Sequence, residues 1–353
     1  MRKAFKILGY LLIFLISAVA AFALYMNFSN ASFRGDSEKA TVTYLRENVA
    51  DVSQEIDGSL FDSTFFSSDI FLLGEIHGFA ENQSLDRKML TYLHKNLGVR
   101  NYISEIDSNA AGLLNRFLRK PTKDLSLLQD VVGHLKQVIP QQAGQEYVEK
   151  WSALYDYNQP LADSLKITVW GIDRALADTS RSISRDSVMR NNLLAITTDP
   201  AYKNEKFYGL FGFFHVLQTA PKGHTRPLAQ RLLNSGLQVT SIVSYMLESN
   251  MYLPKGLGMP TPDNESVDLM NADGPIMVVD GISDLQEASD NFSTLLFKLN
   301  APNSPYRSSL KLSRVKFNFF GEDMIPDTTI ESTVQSFQYV FLSKGSPAVR
   351  PLR

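Results

Sequence analysis

The sequence predicts an α/β protein: a parallel or mixed central sheet flanked by helices, with a helical insertion, behind an N-terminal transmembrane or signal segment. Three observations lead there. Short, wholly apolar runs bounded by glycine recur along the chain and read as strands buried on both faces. Between them lie stretches with apolar residues at helical spacing, so strands alternate with helices as in βαβ units. Ahead of both, residues 7–25 form one uncharged and mostly apolar stretch, preceded by Arg2, Lys3 and Lys6.

At 1.5 Å rise per residue, that stretch just crosses a hydrocarbon core of about 30 Å. Ala21-Phe22-Ala23 fits the small-x-small rule for signal cleavage. The stretch is nevertheless longer than a signal h-region, so its length favours an uncleaved anchor over a secreted form. In either case the basic residues stay cytoplasmic and the rest is exported, to the periplasm or the cell exterior. The expected organisation is an anchor at 1–26, a juxtamembrane stalk and lead-in helix at 27–68, and the α/β domain at 69–353.

Within that domain the first strand is Ile70-Phe71-Leu72-Leu73, followed by a helix over about 80–96. Leu85, Met89, Leu93 and Leu97 share one face of it, and Gly98 is its stop. A short strand at Tyr102-Ile103 leads to a helix capped by Ser108 and closed by Arg119-Lys120-Pro121. Residues 122–163 read as helical throughout and supply the insertion. A third strand at 167–170 ends in Gly171-Ile172-Asp173-Arg174, and a helix over 180–197 leads to a fourth strand that begins at Phe207. Another helix, 226–234, precedes a strand at 237–243. The pattern then loosens: a proline- and glycine-rich loop at 254–262, a strand at 275–279, a loop of β character at 304–316 and a last strand at 338–342.

Two of these strands end in the same way. Ile70 to Leu73 runs into Gly74-Glu75-Ile76-His77, and Phe207 to Phe211 runs into Gly212-Phe213-Phe214-His215. In open α/β sheets the ligand crevice lies outside the carboxyl ends of the strands, so both histidines belong where chemistry is done. Glu105 follows the second strand, and Asp173 with Arg174 follows the third. Glu75 and His77 are two residues apart and point to one face if the strand persists. Gly74 and Gly212 let the chain turn sharply and let a ligand approach the backbone. A carboxylate directly after a buried strand is rarely there for structure alone.

Such a group of imidazoles and carboxylates has three uses: holding a divalent metal that activates water, general acid–base catalysis without metal, or simple ligand binding. The candidates for a metal are His77, Glu105 and His215. With no cysteine in the chain, thiol nucleophiles, thiolate zinc sites and disulfides are excluded. A net charge of −2 gives no sign of nucleic-acid binding, and the serines offer no Gly-x-Ser-x-Gly elbow.

Taken together, Gly74-Glu75-Ile76-His77-Gly78, Glu105, Gly171-Ile172-Asp173 and the second Gly-x-x-His resemble the erythromycin-esterase/ChaN/TraB–Tiki superfamily over about residues 69–245. Its members include macrolide esterases, Tiki-type membrane metalloproteases and haem-binding ChaN lipoproteins. The resemblance implies an active cleft at the strand carboxyl ends. There His77 and Glu75 activate water or hold a metal, Glu105 assists, and His215 is a second base or ligand. One departure counts against macrolide hydrolysis: the erythromycin esterases carry further histidines near the second motif, whereas Phe213, Phe214, Val216 and Leu217 surround His215 here. The leading expectation is an exported, membrane-tethered hydrolase that cleaves an ester or amide of a small-molecule or peptide substrate through His/Glu-activated water. The alternative is a protein that binds haem or another small ligand without turnover.

Overall fold

Strand alternation sends Ile70 and Leu72 to one face of the sheet and Phe71 and Leu73 to the other, and all four are fully buried. Both faces are covered, which is why this strand carries no polar stripe. The computed structural model describes residues 2–178, 180, 182–256, 260–289, 294–319 and 321–352. Residues 257–259 of the expected loop lie outside the described residues.

In chain order the sheet strands are β1 (Val49–Asp51), β2 (Ile70–Glu75), β3 (Asn101–Ser104) and β4 (Thr168–Gly171). They continue with β5 (Phe207–Gly212), β6 (Val239–Leu247), β7 (Thr294–Lys298) and β8 (Tyr339–Lys344). Across the sheet they run β1-β7-β8-β6-β2-β5-β3-β4. The six from β8 to β4 are parallel. β7 lies antiparallel to β8, and β1 antiparallel to β7, so the sheet is mixed only at one edge.

The helices begin with α1 (Arg2–Arg34), α2 (Lys39–Glu47), α3 (Ser63–Ser67), α4 (Glu81–Leu97) and α5 (Ser108–Arg119). They go on with α6 (Leu125–Val138), α7 (Gln145–Asn158), α8 (Arg185–Thr197), α9 (Leu228–Leu233) and α10 (Ile282–Ala288). α3 to α7 cover one face, around Phe71, Tyr102 and Tyr208. α2, α8, α9 and α10 cover the other, around Leu72, Phe211 and Val243.

Some local expectations shift. α4 stops where its glycine requires: Gly98 is left-handed (φ 68°) and its N–H closes on the His94 carbonyl. The cap of α5 is Asp107 rather than Ser108, with its carboxylate accepting from the Ala110 N–H at 2.9 Å. Residues 122–163 are not one helical stretch. Pro140 disfavours helical geometry at Ile139 (φ −139°, ψ 70°), and a 3-10 turn, Pro140–Gln142, separates α6 from α7.

The expected stalk is folded. α1 continues through residues 27–34 and docks: Asn30 donates to the Pro275 carbonyl at 3.1 Å and accepts from Asn318 at 2.8 Å. α2 buries Val42, Tyr44 and Leu45, and β1 pairs with β7. The segment Phe5–Arg34 is long and apolar enough to cross a membrane or to be a signal sequence. At the other end, a strap after β8 ties two loops together. Its Val349 N–H reaches the Gly78 carbonyl at 2.9 Å, and its Arg350 carbonyl accepts from the Gln145 N–H at 2.8 Å.

Candidate active site

β2 and β5 are neighbours in parallel register, with Glu75 directly opposite Gly212. The two Gly-x-x-His segments, 138 residues apart at their histidines, therefore leave the same edge of the sheet side by side. β3 and β4 are parallel to them and deliver Glu105 and Asp173 to that edge. The structure thus brings together Glu75, His77, Glu105 and His215, the two carboxylates buried and the two histidines partly buried.

Each histidine is oriented by a carboxylate. His77 Nδ1 lies 2.8 Å from Glu75 Oε1. A carboxylate only accepts, so Nδ1 carries the hydrogen and Nε2 is left with the lone pair in the neutral ring. His215 Nδ1 lies 2.7 Å from Asp186 Oδ1, and its Nε2 lies 3.4 Å from Glu105 Oε1. Both of its ring nitrogens face acceptors. Gly212 sits between the rings: a Cβ there would lie 3.1 Å from His77 Nε2 and 3.6 Å from His215 Cδ2. At Gly74 a Cβ would stand 2.3 Å from Val216 Cγ2, so the missing side chain lets the 3-10 turn Phe213–Val216, which carries His215, pack on β2.

Three residues not singled out in the sequence complete the network. Gln142 donates to Glu75 Oε1 and lies 3.3 Å from His77 Nδ1. Arg185 bonds Glu105 Oε1 at 2.8 Å and Asp173 Oδ2 through Nε at 2.9 Å. Asp186 holds His215. The helix breaker Pro140 was the available signal for Gln142. Nothing local marks Arg185 and Asp186, which open α8 behind the Ser184 cap. The cation at Glu105 is Arg185 and not Arg174, whose guanidinium bonds the Ile183 carbonyl at 2.7 Å.

The charges settle in opposite directions. Burial alone would raise the Glu105 carboxyl, but the positive charges of His215 and Arg185 hold it well below the usual carboxylate range. Burial likewise opposes charge on His215, yet Glu105 and Asp186 push it up to about 10. His77 is raised as well: the Glu75 hydrogen bond and charge outweigh the effect of burial.

This arrangement does not make a metal centre. Among the described residues no three His, Asp or Glu side chains converge as ligands. Of the three expected ligands, Glu105 spends one oxygen on Arg185 and the other on the Gly212 N–H at 2.8 Å, and the His215 Nε2 faces Glu105 Oε1 at 3.4 Å. Haem fits no better, because His215 is ringed by charge. Phe213 packs into the core on Tyr245 and is not available to wall a haem face, while Phe214 stands between the His215 and His224 rings, 5.9 and 5.7 Å from them.

No family model and no curated protein sequence matches the chain. Solved structures do. A succinoglycan biosynthesis protein superposes with a TM-score of 0.62 at 13% identity, covering 91% of this chain and 99% of that one. A variant of the erythromycin esterase EreC in its open conformation gives 0.57 at 12% identity, covering 90% and 98%. The chain has the erythromycin-esterase fold. A Bacillus cereus protein shares it too, with a TM-score of 0.58 at 13% identity over 89% of this chain and 99% of that one. Within the erythromycin-esterase fold the site draws on both helical layers, Gln142 from one face and Arg185 with Asp186 from the other.

Proposed function

We propose that the protein is a membrane-tethered, exported hydrolase that cleaves an ester or amide with water activated by His77. The observation that carries this reading is the pair of carboxylate-oriented histidines flanking Gly212, one with a free Nε2 lone pair and the other held as an imidazolium. Two imidazoles held by different carboxylates can serve as a base and an acid. His77 Nε2 takes a proton from water as its oxygen bonds the carbonyl carbon, and Glu75 stabilises the imidazolium that forms. His215 then supplies a proton to the leaving oxygen or nitrogen as the bond to the acyl carbon breaks. Glu105 and Asp186 keep that ring charged and in place. The site's chemistry is supplied by side chains alone, and the substrate is a small molecule or peptide.

Glu75→Gln tests this directly. The amide keeps the shape but removes the charge that stabilises protonated His77, so kcat/KM on an ester panel falls by about 10²–10⁴-fold. A variant that folds and keeps its activity overturns the assignment.

A further inference from the structure

α1 does not leave the domain as a free tether. Beyond Asn30, Lys316 donates to Ser29 at 2.8 Å, Arg314 stacks over the Phe33 ring at 5.3 Å, and the Gly281 N–H bonds the Arg34 carbonyl at 2.9 Å. The helix and the domain face built on residues 275–281 and 314–319 therefore stand in a fixed relation. Higher on the helix, the Phe319 ring lies 6.0 Å from the Phe22 ring. Phe22 belongs to the apolar stretch 7–25, three residues inside its end, or about 4.5 Å along the helix axis.

Phe319 is otherwise hard to explain. It is a large apolar side chain 62% exposed at the tip of a turn, and its backbone is left-handed (φ 69°), a conformation L side chains rarely adopt. Just below it, Tyr25 and Phe28 are also exposed, at the level where aromatic residues line a membrane–water interface. Arg314 and Lys316 lie one to two turns further on, at the depth of headgroups.

We propose that the domain lies against the bilayer with Phe319 inserted beside α1 as a second membrane contact, the partner being the lipid itself. This rests on α1 remaining attached as the anchor. A side chain packed on Phe22 then has to lie at the depth of Phe22, below the interface. The fixed dock also sets which face of the domain looks toward the membrane.

The absence of native cysteine makes the test clean. In full-length protein reconstituted in phosphatidylcholine vesicles, an environment-sensitive fluorophore is placed on Phe319→Cys or, for reference, on Thr122→Cys, across the sheet. The expected result is a blue-shifted emission at 319, quenched severalfold by doxyl-labelled lipid, with a water-like, unquenched signal at 122. A water-like signal at 319 in a chain that resists carbonate extraction overturns the inserted contact and leaves the anchor standing. Release of a soluble chain beginning beyond Ala23 overturns the anchor reading, and the inserted contact with it.

Discussion

Glu105 accepts from the Gly212 amide with one oxygen and from Arg185 with the other, while Asp186 and Glu105 bracket His215. The same ion network that seats the ring also sets its charge, and this makes the pH profile informative. His77 works as a base only when neutral, and its raised pKa puts the acid limb of kcat/KM above the ordinary histidine value of 6.5. His215 works as an acid only when charged, so the alkaline limb falls near about 10. Asp186→Asn removes a negative charge from His215 and moves the alkaline limb to lower pH; a pH–rate series on both proteins checks this. The stability effect has the matching sign. A raised histidine pKa contributes stability in full below its unfolded value of about 6.5, and loses it as pH rises through about 10. Denaturant melts between those limits should show the wild type losing ground relative to His215→Gln.

At the scale of elements, the site is assembled by turns and held by close approach. Gly74 lets the turn that carries His215 settle on β2, with Val216 filling the space a Cβ would need. Gly74→Ala forces that turn outward. The expected cost is about 1–3 kcal/mol of stability, with a further loss of kcat because His215 and Gly212 move together. A chemical melt alongside steady-state kinetics separates the two effects. The C-terminal strap has a parallel role. It hydrogen-bonds Gly78, next to His77, and Gln145, three residues from Gln142, and Arg350 pairs with Glu146 and Glu149 at 2.6 and 2.7 Å. Removing residues 346–353 should therefore lower kcat more than it shifts KM, because it loosens the two loops around Glu75. Unchanged kcat in a folded truncation would show that the strap is only a surface tie.

Across the whole molecule, the region before residue 69 is part of the fold. β1 is the edge strand on β7, and the Tyr44 hydroxyl donates to the Lys298 carbonyl at 2.8 Å. Burying Val42 and Leu45 contributes roughly 1.5–3 kcal/mol each. A chain beginning at residue 37 should keep a cooperative thermal transition, whereas one beginning at residue 53 should lose it or melt many degrees lower. Equal melting of the two would mean that α2 and β1 are dispensable.

The sequence alone determined the class of the fold and most of the residues at the sheet edge. Apolar runs with no polar stripe require a sheet covered on both faces, and helical periodicity between them requires parallel neighbours. Polar residues directly after such runs have to emerge at the carboxyl edge, so Glu75, His77, Glu105, Asp173 and His215 were legible from local pattern. What local pattern does not contain is which strands are neighbours. Only the tertiary structure decided that β2 lies beside β5, so that Glu75 faces Gly212 and the two histidines meet. It also decided that Arg185, Asp186 and Gln142 join them from two separate helical layers, since charges at a helix start or in a turn look the same whether they face water or a buried partner. The edge strands β1 and β7 stayed hidden for a related reason: Ala50 of β1 pairs with Leu296 of β7, and Leu296 with Phe341 of β8, and nothing in either segment announces its partner. The donor set of a metal site is decided in the same way, by which hydrogen bonds already occupy each carboxylate and imidazole once the chain has folded.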